Sequence, residues 1–345
     1  MERFELRLQD FSLDDDQQAV REGFGDFFTK EVPSSRVRDA EPLGFDADLW
    51  QRLVAMGATS MALPEAAGGD DATLVDLVLV AEELGKVVAP VPLVSHVVAS
   101  RLLARAGGAA ELLTAAAGGE RIVTLALQPV VGSNRQLVPD AAVSRDVLAW
   151  SADGLALHTL AEPAAHVPNQ GSTPLAWFDP AAGERTVLAS GPEAEALFRA
   201  AVAEWKLLTA AALVGLADSA LNLGVEFAKS RRTLGVSIGS LQGVAFPLAD
   251  VVTEIAGARN LTYKAAWYAS HEPGARPDLP LAAFVQAAHA ATESAWVSAH
   301  TQGGLGFTVE ADISLFFLRA KGWSVLGGDP GADRRQVAAA LLASV

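Results

Sequence analysis

The sequence predicts a mainly α protein with a small central β unit, in the order helical unit, β unit, four-helix bundle. Three observations carry that prediction. Apolar residues recur at three- and four-residue spacings through the first hundred or so positions; from about Arg121 to Leu188 the pattern breaks into short β-like runs; from about Glu193 long helical stretches return. The boundaries expected are 1–120 for the helical unit, 121–192 for a shortened β unit and 193–345 for the bundle.

In the first unit, Asp14 to Lys30 places Val20, Phe24, Phe27 and Phe28 on one helical side, and Pro33 stops it. Asp46 is positioned to cap a short amphipathic helix through Leu49, Trp50, Leu53, Val54 and Met56, which Gly57 closes. Leu63-Pro64-Glu65-Ala66-Ala67-Gly68-Gly69 is a turn-rich link. Thr73 to Gly85 is a helix that buries Leu74, Leu77, Val78, Val80 and Leu84, and Val87 to Ser100 also reads as buried helix. The β runs are Ile122 to Leu127, Asp146 to Trp150 and Leu155 to Leu160. The bundle helices are expected at 193–230, 240–272, 277–301 and 331–344, with a kink or a delayed start at Pro247.

The chain has 345 residues, half of them apolar and 19% charged, so a large core is available. Twenty-six basic against 41 acidic residues give a net charge of -15, which argues against a nucleic-acid partner and against anionic lipid. A polyanionic ligand would have to meet a local cluster of Arg or helix N-termini inside that repulsive field. The absence of cysteine excludes disulfides and thiolate metal sites and is compatible with a cytoplasmic location; no metal site is expected. The start, Met1-Glu2-Arg3-Phe4-Glu5, lacks a secretory pattern. Pro90, Pro92 and His96 interrupt one apolar window and Asp218 the other, so no membrane span is expected.

Four motifs make the architecture specific. Leu49-Trp50 to Gly57 is followed by Leu63-Pro64-Glu65, Gly68-Gly69 and Ala81-Glu82-Glu83-Leu84-Gly85. Arg231-Arg232-Thr233-Leu234-Gly235 precedes Ile238 and Leu241-Gln242. Gln302-Gly303-Gly304-Leu305-Gly306-Phe307-Thr308 leads to Glu310, and Leu318-Arg319-Ala320-Lys321 leads to Leu326-Gly327-Gly328-Asp329-Pro330. Together they resemble the flavin-dependent acyl-CoA dehydrogenases from about Asp14 to Pro330. In that family the second motif reaches the diphosphate of FAD seated mainly in a neighbouring subunit, chemistry suited to guanidinium and to close backbone approach at Gly. The resemblance implies FAD contacts from Arg231, Thr233, Gln242, His300, Gly303 and Gly304, with His300 standing where the family usually has Gln.

The resemblance also marks departures. The family's catalytic Glu stands at one of two places, which here hold Gly327 and Trp205, so no catalytic residue is assigned. Glu204 is a weak candidate, one position away and about 100° round the helix, where a solvated or paired carboxylate is expected. Lys206 is open to two readings, a phosphate contact or a snorkelling side chain. The family's flavin-facing loop is represented by Leu127-Gln128-Pro129-Val130-Val131-Gly132-Ser133-Asn134, and its Trp-Ile-Thr strand has no counterpart, which implies a degraded ring cradle.

A chain of this kind is similar to the short, Glu-lacking subunit of actinobacterial α₂β₂ acyl-CoA dehydrogenases that act on sterol side-chain CoA esters. The expected function is therefore an FAD-associated subunit of an acyl-CoA dehydrogenase, nearly inactive without a longer, Glu-bearing homologous subunit, with an acyl-CoA as substrate. Two further readings stay open: a self-sufficient homo-oligomeric flavoenzyme with an unrecognised base, and a flavin-free structural or regulatory protein of the same fold.

Overall fold

The computed structural model describes residues 11–343; Met1 to Glu5 and the last residue of the 331–344 helix lie outside them. The first unit holds α1 (Asp15–Glu31), α2 (Ser34–Asp39), α3 (Ala47–Ala55), α4 (Leu74–Lys86), α5 (Leu93–Ala106) and α6 (Ala110–Ala117). Local signals set several of the ends. Asp14 and Gln17 form a capping box on α1, Asp46 accepts the Leu49 amide at 2.9 Å at the start of α3, and Gly57 follows α3 at φ 77°. α5 starts only after Pro92, so the apolar window from Val87 is helical only from Leu93 onward. The two prolines hold the preceding backbone out of helix.

The β unit contains β1 (Val123–Leu125), β2 (Gln136–Val138), β3 (Asp146–Ser151), β4 (Gly154–Thr159), β5 (Ala176–Phe178) and β6 (Glu184–Ala189). β1, β3, β4 and β6 form one sheet in that order, with β1 parallel to β3 and the others antiparallel; β2 and β5 form a second, two-stranded sheet. Its own core is small: Ala126, Val138, Ala141, Val147, Ala149, Ala176 and Phe178. Most of its remaining apolar surface packs on the helices, as where Trp150 stacks on Phe198 at 6.4 Å.

The bundle consists of α7 (Gly191–Ser230), α8 (Gln242–His271), α9 (Leu279–Gln302) and α10 (Ile313–Val325). This corrects the expected fourth helix: 313–325 takes that place, while α11 (Pro330–Ala343) lies outside, and Asp333 is its one buried residue among those described. The helical signal of α10 was disguised because its buried side includes Arg319, whose guanidinium donates to Glu41 at 3.0 Å. Pro247 also falls otherwise than expected, inside an unbroken α8. It lies in the second turn, and the carbonyl it leaves unpaired, that of exposed Gly243, is open to solvent.

Two features of the amino-terminal motifs are structural. Gly85 and Gly215 let α4 and α7 cross closely: a Cβ at Gly85 would sit 1.9 Å from the Ala212 carbonyl oxygen, and one at Gly215 1.9 Å from that of Glu82. Glu82 accepts from Arg259 Nε at 2.9 Å and from the Tyr263 hydroxyl at 3.0 Å, tying α4 to α8. α7 has an 18-residue window of mean hydropathy 1.5, yet 72% of that window is buried within the fold.

Candidate functional site

The long bundle helices have two ends, and the motif residues divide between them. At one end α7 stops at Arg231, which has left helical conformation (ψ 129°). Arg232–Thr233 (β7) then pair with Val236–Ser237 (β8) across a two-residue turn, Leu234 at φ 49° and Gly235 at φ 83°. Positive φ at both positions is the type I′ geometry that matches strand twist. For Leu234 it costs about 1 kcal/mol, and the side chain is 92% exposed. Ile238 folds back to donate its amide to the Arg231 carbonyl at 2.9 Å, and a 3₁₀ turn leads into α8 at Gln242.

Leu241 precedes α8 and offers no side-chain cap, so the first amides of α8 and the positive end of its dipole face outward. Arg231, Thr233 and Gln242 are all exposed, and neither Arg231 nor Arg232 has a carboxylate partner among the described residues. Two unpaired guanidiniums beside an uncapped helix start form an anion-seeking corner in an otherwise acidic chain. The arrangement fits the diphosphate of FAD.

α9 runs parallel to α7. Ser294 donates to the Ala217 carbonyl at 2.6 Å, and a Cβ at Gly224 would meet Ser298 Oγ at 2.6 Å, so both contact positions advance together along the two helices. The end of α9 therefore emerges at the same end of the bundle as Arg231. Here exposed His300 stacks on Trp296 at 6.1 Å, and Gly303 (φ 62°) and Gly304 would each carry a Cβ into open space. Among the described residues no hydrogen bond joins the 300–304 turn to the Arg231 corner. Leu234, Phe246, Trp296, Leu305, Phe307 and Val309 leave this end apolar and exposed.

At the other end lie Trp205 and Gly327, the two positions the family resemblance singled out. They converge: a Cβ at Gly327 would lie 3.2 Å from Trp205 Cζ3 and 3.4 Å from Lys206 Cε. The indole is buried, donates to Ser95 Oγ at 3.2 Å and sits 6.4 Å from the Phe284 ring, so side chains fill the space. Lys206 neither snorkels nor stands free; it is buried, bonded to Asp333 and 5.5 Å above the Phe284 ring. Glu204, expected to be solvated or paired, is paired, accepting from Arg101 Nε at 3.1 Å and Arg105 Nη2 at 2.6 Å.

Beside this filled position opens a cavity of about 1960 Å³ between α4, α5, the β unit, α7, the α8–α9 connection and α11. Its cations do not stand free as a polyanion would require: Lys206 is held by Asp333, Arg199 by Glu195, Arg276 by Asp278, and Arg101 and Arg105 share Glu204. The loop from Leu127 to Gln136 lines a second, open recess of about 400 Å³ with Leu326 and Gly328, and Gln128 Nε2 donates to the Gly327 carbonyl at 3.2 Å. Sequence reading missed Arg101 and Arg105. Their i, i+4 spacing was visible, but the carboxylate they converge on is a hundred residues away.

Two buried titratable groups flank Ser95, the acceptor of the Trp205 indole. His96 accepts the Val123 amide at Nδ1 (3.3 Å) and donates from Nε2 to the Ala116 carbonyl (3.1 Å); burial pushes its pKa down to about 4. Burial pushes the Asp140 carboxyl up to about 6, opposed by a hydrogen bond from Ser95.

Residues 14–112 match the family model "Acyl-CoA dehydrogenase, N-terminal domain" and residues 196–342 match "Acyl-CoA dehydrogenase, C-terminal domain". The chain is 31% identical to the acyl-CoA dehydrogenase IpdE2 of Mycobacterium tuberculosis over 92% of this chain and 94% of that one. It is 30% identical to FadE27 of the same organism, over 84% and 87% of the two chains. Among solved structures, a subunit of the Tcur3481-Tcur3483 steroid ACAD (G363A variant) superposes with a TM-score of 0.85 at 26% identity, covering 95% of this chain and 98% of that one. One from the ChsE4-ChsE5 complex of Mycobacterium tuberculosis gives 0.83 at 25%, covering 97% and 99%.

Proposed function

Because the chain belongs to the acyl-CoA dehydrogenase family, we propose that it is the accessory, FAD-contacting subunit of a heteromeric acyl-CoA dehydrogenase that desaturates a CoA thioester in the cytoplasm. The observation that carries this reading is a distance. Twenty-six positions of one continuous helix separate Trp205 from Arg231, about 39 Å at 1.5 Å per residue. A dinucleotide gripped at the Arg231 corner cannot lay its ring over this chain's own Trp205–Gly327 position. On this reading its reactive end would lie over another subunit.

The filled base position supports the same reading. Flavin, when bound, would supply the acceptor for the β hydrogen of the thioester as hydride, and removal of the α proton would call for a positioned carboxylate. At both usual places this chain has none, and a general base contributes about 10² to 10⁴ in rate. The chain's own share would be binding and shape. Arg231 and Arg232 would neutralise diphosphate, Gln242 and the first amides of α8 would donate to it, and Gly303 and Gly304 would let backbone approach. The exposed apolar rim around Leu234 and Trp296 would exclude water at the contact with a longer homologue. Two similar structures pair two distinct components, ChsE4-ChsE5 and Tcur3481-Tcur3483, and the second is a steroid ACAD. A sterol-derived acyl group is accordingly the first substrate class to try.

The test is purification of the full chain alone and after co-expression with a Glu-bearing homologue. Flavin absorbance and thioester-dependent dye reduction are expected only from the complex. A chain that purifies yellow and turns over substrate alone would overturn the proposal.

A further inference from the structure

The most unbalanced group of charges on the large cavity is the set Arg101, Arg105 and Glu204. Arg101 and Arg105 lie one turn apart on α5 and bring two guanidiniums to one carboxylate of α7, at 3.1 and 2.6 Å. Arg101 is held in place by a second bond, from Nη1 to the Ala62 carbonyl at 2.9 Å. All three side chains line the cavity, and the Arg105 side chain keeps 31% of its surface exposed. Every other described cation on that wall faces a carboxylate of its own, so this spot alone carries two positive charges against one negative.

We propose that Arg101 and Arg105 form an anion-binding site for a phosphate or carboxylate group, occupied in this chain by its own Glu204. The geometry is that of ligand recognition: two forked donors converging on the two oxygens of one acid group at the wall of a large cleft. Glu204 is fixed on α7, so it competes at an effective concentration a free anion cannot match. The cleft keeps its volume while its strongest anion-binding pair is taken. This goes beyond the flavin assignment and does not depend on it, since the site lies at the opposite end of α7 from Arg231.

The test is calorimetric titration of the full chain with inorganic pyrophosphate and, separately, with acetate. Glu204→Gln keeps the side-chain shape and one acceptor oxygen but removes the competing charge. It should bind one of the two anions at least about tenfold more tightly than the unmodified chain, and Glu204→Gln with Arg105→Ala should lose the gain. A gain for pyrophosphate alone assigns a phosphate site, and a gain for acetate alone a carboxylate site. Glu204→Asp, which retracts the carboxylate by one methylene, should show a smaller gain and covers the case in which the amide variant does not fold. Equal affinity of the unmodified chain and a folded Glu204 variant, or no binding by either folded variant, would overturn the proposal. Neither result would touch the flavin reading, which co-expression tests separately.

Discussion

The two ends of α7 are built on opposite rules. At the Trp205 end, indole, lysine and glycine close on one another, and the cations meet carboxylates of the same chain. At the Arg231 end, two guanidiniums, an uncapped helix start and a rim of apolar side chains are left uncovered among the described residues. The first region is complete in itself. The second is left open, with the cations and apolar side chains that the proposed subunit role would use for cofactor and partner.

Mutations should separate the two ends by energy. Trp205→Ala would open a cavity in the closed end and should cost about 3 to 5 kcal/mol in urea unfolding. A much smaller loss would mean the indole is loosely held and the position is not filled. The next effect is a pH dependence set by buried groups near that end. His96 stays neutral when folded, so its contribution is complete above pH 6.5 and is lost as pH falls toward 4, about 3 kcal/mol in all. Asp140 acts in the opposite sense: with its pKa raised to about 6, stability is gained as pH falls from 6 toward 3.8. The two nearly offset, so Asp140→Asn should expose the acid loss that the unmodified chain hides. An unchanged pH profile of stability in that variant would show that Asp140 is ionised in the fold.

At the open end, Leu234→Gly should raise the stability of the isolated chain by up to about 1 kcal/mol, because it relieves positive φ and gives up no packing. It should also weaken association with the partner, read by analytical ultracentrifugation. Arg231→Ala should change stability by no more than about 0.5 kcal/mol while lowering flavin retention in the co-expressed complex. A large stability loss from Arg231→Ala would mean that this end, too, is internally satisfied, and the contrast would fail.

Much of this was legible beforehand because it is local. Asp14, Asp46 and Gly57 announce helix ends through bonds within four residues, and the 3.6-residue period marks α1, α4, α7, α8 and α9. The period failed at α10, where a buried Arg319 interrupts the apolar side, and at Pro247, whose cost depends on how exposed one carbonyl is. Glu204 was expected to be either solvated or paired; that it is paired, and with which partners, came only from the structure. Motif resemblance singled out Trp205 and Gly327 separately, and nothing in their spacing says that they meet.

The sequence by itself determined the order of the units, most helix spans and the identity of the residues at the Arg231 corner. Tertiary structure alone decided that Gly327 lies against Trp205, that Arg101 and Arg105 converge on Glu204, and that Arg231 and His300 emerge at the same end of parallel helices. The reason is range. Capping and amphipathicity act over one or two turns and leave a pattern in neighbouring residues, whereas convergence of side chains far apart in the chain depends on how the helices pack, and packing leaves no periodic trace in the chain.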